Sequence, residues 1–175
     1  AITLDVVNGA LTGSAADLVS AFAGTITAYT GALTFSDAHN LAQLVAVNNA
    51  TSGAIGFNDN TVTLSGSSAD VAAALDGTTY NAAVTLTDQA TVAQLVAVNA
   101  ANAGAITLNV VNGALSGTAA DLTAAFAGTI TGYTGALTVT DQANVAQLVA
   151  INAATNAAIV LDVTSGALTG SAANL

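Results

Sequence analysis

Residues 135–150 read Gly135-Ala136-Leu137-Thr138-Val139-Thr140-Asp141-Gln142-Ala143-Asn144-Val145-Ala146-Gln147-Leu148-Val149-Ala150. The alternation from Ala136 to Thr140 suits a short pleated strand. Asp141 is placed to cap a helix, and Val145, Leu148 and Val149 recur at helical spacing as its apolar face. A strand and a helix of this size cannot bury that face alone, so the unit must stack on copies of itself. Degenerate copies occur seven times, marked by Leu11, Leu33, Leu64, Val84, Leu115, Leu137 and Leu168. Each is followed by a hydroxyl: Thr12, Thr34, Ser65, Thr85, Ser116, Thr138 and Thr169. Period-two alternation turns the first set inward and the second outward, so in-register stacking predicts an apolar ladder beside a hydroxyl ladder, with all seven apolar positions in one continuous core.

The larger period starts at Ala1, Ala54, Ala105 and Ala158, steps of 53, 51 and 53 residues, giving repeats at 1–53, 54–104 and 105–157 and the start of a fourth at 158–175. Each holds two units, because the ladder spacing alternates between 20 to 22 and 31. A second strand is expected at Ile2-Thr3-Leu4, Ile106-Thr107-Leu108 and Ile159-Val160-Leu161, joined to the ladder strand through Asn8-Gly9, Asn112-Gly113 or Ser165-Gly166 turns. The expected helix caps are Ser14, Asp37, Ser67, Asp88, Thr118, Asp141 and Ser171. Four residues after them stand Leu18, Leu41, Val71, Val92, Leu122, Val145 and Leu175, expected to be buried. Odd helices should stop near Gly24, Gly77 and Gly128, and even ones should run to Asn48, Asn99 and Asn152. The expected fold is α/β: a parallel αβ-solenoid of about seven strand-turn-strand-helix coils, two per large repeat. The last residues restate the first and neither end resembles a cap, so the chain reads as a window on a longer array whose coils continue to stack.

Composition excludes several classes of function. The 175 residues contain no Lys or Arg and ten acidic residues, all Asp, for a net charge of −10. Without cations there is nothing to neutralise phosphates, which argues against nucleic acid and anionic membrane surfaces as partners. At 53% hydrophobic the chain has ample material for a core, yet its apolar runs are too short for membrane insertion. There is no Cys and therefore no disulfide or thiolate site.

The segments G-A-L-T-G-S-A-A-D-L, L-S-G-T-A-A-D-L and G-A-L-T-V-T-D-Q-A-N-V-A-Q-L-V-A-I-N-A-A-T together resemble the tandem repeats of giant secreted surface and adhesin proteins of bacteria, cyanobacteria especially. The resemblance implies export through a type I system without a cleaved signal peptide, an extracellular cell-surface location, and service as adhesin, surface layer or filament. The calcium-binding nonapeptide repeats often carried by such proteins are absent.

The residues that bear chemistry have structural readings beside them. His39 is the single His, with counterparts read as Gln89 and Gln142, and is expected to be an exposed helix residue without a catalytic partner. Asp37, Asp88 and Asp141, with Asp17, Asp70 and Asp121 three residues after the odd caps, admit calcium as a reading. Capping and attraction to helix N-termini explain both sets without a metal, so no metal site and no cofactor are expected. Because the two sets alternate between units, like charges at one position are expected to stand a whole unit apart. Asp5 and Asp162 are read as solvated. Thr pairs such as Thr85-Leu86-Thr87 are outward strand positions, Asn49-Ala50-Thr51 is a chance glycosylation sequon, and Tyr29, Tyr80 and Tyr133 fill a bend. No nucleophile, base and orienting group recur together, so no enzyme active site and no catalytic residue are expected. The expected function is structural, a filament, sheath or surface layer built by self-association. The alternative is an adhesin stalk or glycan-binding module using the hydroxyl ladder.

Overall fold

A computed structural model describes residues 7–24, 26, 29–128, 130 and 132–162. The strand expected at residues 2–4, Asp5, the ladder position Leu168, the cap Ser171 and Leu175 lie outside them. Strands β1 (Leu11–Gly13), β2 (Leu33–Phe35), β3 (Ile55–Phe57), β4 (Leu64–Gly66), β5 (Val84–Leu86), β6 (Ile106–Leu108), β7 (Leu115–Gly117), β8 (Leu137–Val139) and β9 (Ile159–Leu161) are each three residues long. Between them lie helices α1 (Ala15–Phe22), α2 (Leu41–Asn48), α3 (Ser68–Leu75), α4 (Val92–Ala101), α5 (Ala119–Ala125) and α6 (Val145–Ala154). Every helix packs against its neighbour in sequence, α1 on α2 and so on to α6. The result is an α/β arrangement of stacked strand-helix units.

The single apolar ladder is not observed. The strands form three separate parallel sheets, β1-β2-β3, β4-β5-β6 and β7-β8-β9. Leu33 pairs with Leu11 on one side and with Ile55, not Leu64, on the other. Likewise Val84 lies between Leu64 and Ile106, and Leu137 between Leu115 and Ile159. The isoleucine strands therefore extend the ladder sheets instead of forming a second layer. The reason lies in chain length. From Leu11 to Leu33 and from Leu33 to Ile55 the chain advances 22 residues, enough for a strand, a helix and a return. The 31-residue step to Leu64 is that same 22 plus a short crossing that starts the next sheet.

Alternation within the central strands follows from the pleat. In β2, β5 and β8 the outer residues are buried and the middle Thr34, Thr85 and Thr138 are half-buried. One apolar core runs through Leu33, Leu64, Val84, Leu115 and Leu137 on the strands and Leu18, Leu44, Val47, Val71, Leu95, Val98, Leu122 and Ile151 on the helices. Leu11 is an exception to the expected burial: it is 43% exposed, on a strand paired on one side only among the described residues. Leu41 and Val92 are only half-buried. Val149, read as core, is 46% exposed, and Ile151 takes the inward position.

Candidate functional site

Helix ends carry most of the polar chemistry, and they are completed by neighbouring units. An isolated helix leaves its first amides and last carbonyls without partners. In the odd helices Ser14, Ser67 and Thr118 are the N-caps, as expected, accepting from the amides of Asp17, Asp70 and Asp121 at 3.1 Å. Each cap hydroxyl also donates to the carboxylate of that Asp, at 2.7 to 2.8 Å.

In the even helices the cap is not the aspartate. Asn40, Thr91 and Asn144 cap α2, α4 and α6, and Gln43, Gln94 and Gln147 return a bond to the cap's own amide, closing a capping box. The displaced aspartates reach into the preceding unit instead. Asp37 accepts from the amide of Ala15 at 2.7 Å, Asp88 from Ser68 at 2.7 Å and Asp141 from Ala119 at 2.6 Å. Each bonded amide opens an odd helix, where the positive end of the macrodipole favours an anion. The bond to the Ser68 amide holds the Asp88 carboxyl below its ordinary range.

Like positions do stand a whole unit apart, on α1, α3 and α5, but this placement brings the two sets together. Asp17 and Asp37 meet at the start of α1, Asp70 and Asp88 at α3, and Asp121 and Asp141 at α5. Two carboxylates converge on each odd helix, compensated by amides, hydroxyls and the dipole in place of distance. Among the described residues no group of three His, Cys, Asp or Glu side chains is positioned to hold a metal.

The opposite helix ends are bridged in the other direction. Asn48, the last residue of α2, donates through Nδ2 to the carbonyls of Ala73, Ala74 and Asp76 at the end of α3, at 2.8, 3.0 and 2.9 Å. Asn99 does the same for Ala124 of α5 at 2.8 Å. The sequence marks these asparagines only as helix stops, and α4 runs past Asn99 to Ala101. Each completely described odd helix is thus closed at its start by the unit after it. At α3 and α5 the other end is closed by the unit before.

Tyr29, Tyr80 and Tyr133 are buried, as expected of residues filling a bend. Their hydroxyls donate to the carbonyls of Gly9, Val62 and Gly113, tying down the loop that leads to the preceding strand. Burial raises the Tyr133 hydroxyl and pushes that of Tyr80 up to about 12. Thr51, the sequon threonine, uses its hydroxyl to donate to the carbonyl of Tyr29 at 3.0 Å and to accept from Gly53. Thr155 makes the same pair of bonds with Tyr133 and Ala157.

His39 departs from expectation most. It is 4% exposed and lies before the cap of α2, not in the helix. Counted from Asp37, its counterparts are Ala90 and Ala143, which are also buried; Gln89 and Gln142 stand one residue earlier. Its ring stacks on Phe57 at 4.8 Å, lies 5.2 Å from Phe35, and places Nε2 3.2 Å from the Tyr80 hydroxyl.

The outer surface offers open grooves between even and odd helices, one along Leu41, Ala42, Val45 and Asp70, another along Val92, Val96, Gly117 and Asp121. Both have an apolar floor and one carboxylate at the rim. No described helix is long and apolar enough to cross a membrane. Comparison with known protein families, with curated proteins and with solved structures finds no match to this chain.

Proposed function

We propose that the chain is a structural repeat protein, a parallel αβ-solenoid whose units stack into a filament, sheath or surface layer outside the cell. The observation that carries this reading is reciprocal capping: Asp37, Asp88 and Asp141 reach back to the preceding helix while Asn48 and Asn99 reach forward to the next. Hydrogen bonds invested between successive units favour a protein whose product is its own length. Exposed Leu11 on β1 and Val160 and Leu161 on β9, strands paired on one side only among the described residues, support self-association by further strand pairing. The extracellular location in this proposal follows from the resemblance of the sequence to bacterial surface repeats. In this proposal the carboxylates are satisfied by amides and hydroxyls, and the array needs no calcium.

The second reading, an adhesin stalk or glycan-binding module, draws on the outward hydroxyls Ser65, Thr85 and Thr107, which stand in register across one sheet. Sedimentation velocity over a hundredfold concentration range separates the two. Growth of large species with no added ligand supports the structural reading. A concentration-independent monomer that binds immobilised polysaccharide would replace it with the second.

A further inference from the structure

At one junction three positions in or against the core change together around an unchanged tyrosine. Between the second and third repeats the equivalent residues are Leu86, Ala90, Leu108 and Tyr133, with Leu86 paired to Leu108 and the Tyr133 hydroxyl receiving a bond from Gln89 at 3.1 Å. Between the first and second it is Phe35, His39, Phe57 and Tyr80. The imidazole thus enters where alanine stands elsewhere. It takes over the contact to the tyrosine and is walled by the two phenylalanine rings.

The hydrogen bonds fix its state. The Tyr80 hydroxyl gives its proton to the Val62 carbonyl at 2.5 Å, so toward His39 it can only accept. Nε2 therefore carries the imidazole proton, and Nδ1 is buried without a hydrogen bond of normal geometry, the backbone of Asp37 giving the ring only a weaker polar contact. A second proton would go to Nδ1 and place a cation among aromatic rings. The groups in electrostatic range are Asp37 just before it, Asp59 on the loop after β3, and the neutral Tyr80 hydroxyl.

We propose that the junction between the first and second large repeats is an acid-sensitive joint, in which protonation of His39 loosens β2 and β3 from the Tyr80 loop while the other junctions stay closed. Burial pulls the His39 pKa below its ordinary 6.5, against the opposing pull of the Asp37 backbone and the charges of Asp59 and Asp37. The sign follows: the unfolded chain takes up the proton first, so stability is complete above 6.5 and is lost as pH falls toward the folded value. Since His39 is the single His and the chain has no Glu, it is the side chain that titrates between about pH 5 and 7.

Two measurements on the whole chain test this. The first follows the His39 Cε1 proton by NMR against pH, and the second follows thermal unfolding at about pH 7, 6 and 5 for wild type, His39→Ala and His39→Gln. The expected results are a midpoint below 6.5 and an unfolding constant rising by up to tenfold per pH unit in wild type only. Both variants should give flat profiles even if the alanine cavity lowers stability throughout. Hydrogen exchange at pH 5 should lose protection at β2, β3 and the Tyr80 loop first. A midpoint at or above 6.5, parallel pH profiles in wild type and variants, or protection lost evenly along the chain would each overturn the proposal.

Discussion

Replacing Asn48 by Ala isolates the forward cap. Its amide carries two N–H donors and faces three carbonyls at the end of α3, so the substitution deletes two hydrogen bonds between units and leaves the Ala73, Ala74 and Asp76 carbonyls to water. Two neutral bonds in a partly exposed site are together worth about 1–2 kcal/mol net. For a chain of this size each kcal/mol moves the melting temperature by roughly 2–4 °C. The gain from putting alanine at a helix end offsets part of the loss. The neighbouring Asn49→Ala collects the same gain at an exposed position with no side-chain bond to lose, and serves as the control. Relative to that control, Asn48→Ala should melt several degrees lower, with the amides at the end of α3 exchanging faster. Asn99→Ala, which deletes one bond to Ala124, should show about half the effect. If Asn48→Ala melts with the Asn49→Ala control, or if Asn99→Ala is the more damaging change, the forward cap is not what closes these helices.

Leu115→Asp should unfold at least the third sheet, because a carboxylate at a 5% exposed position costs several kcal/mol; circular dichroism on the purified variant measures it. Gly53→Ala should destabilise by at least about 1–3 kcal/mol in urea titration, since the new methyl would lie 2.0 Å from the Gly31 carbonyl oxygen, whereas Gly24→Ala meets nothing and should be neutral or slightly stabilising. In alkali the raised pKa of Tyr80 contributes stability that is complete below 10 and is lost as pH climbs toward about 12, so Tyr80→Phe should make that limb of the melting profile shallower, with the part due to Tyr133 remaining. Addition of a calcium chelator should leave the melting temperature unchanged, and a large drop would promote the paired carboxylates to ion sites.

Local signals in the sequence were read well where one residue type has one use. Ser14, Ser67 and Thr118 stand directly before short apolar helices, and the structure caps those helices with them. Asp37, Asp88 and Asp141 misled because a carboxylate caps any helix start within reach, and the nearer one in space belongs to another unit. The competing signal was present: Asn40 with Gln43, Thr91 with Gln94 and Asn144 with Gln147 are capping boxes at the true starts. Sheet order failed for a related reason. Leucine and isoleucine are interchangeable on a buried strand face, so following Leu33 to Leu64 skipped Ile55, the residue one 22-residue turn away. His39 stands a single position after the counterpart of the exposed Gln89 and Gln142, and on a pleated or turning chain one position decides between solvent and core.

In the proposed array the units stack along one axis through parallel, in-register strands and mutually capped helices. Fibre diffraction from oriented, concentrated protein tests that most directly. Head-to-tail stacking predicts a reflection at about 4.8 Å along the fibre axis, the spacing of neighbouring strands. A fibre whose strand spacing lies across its axis, or concentrated protein that stays monomeric and unoriented, would contradict it.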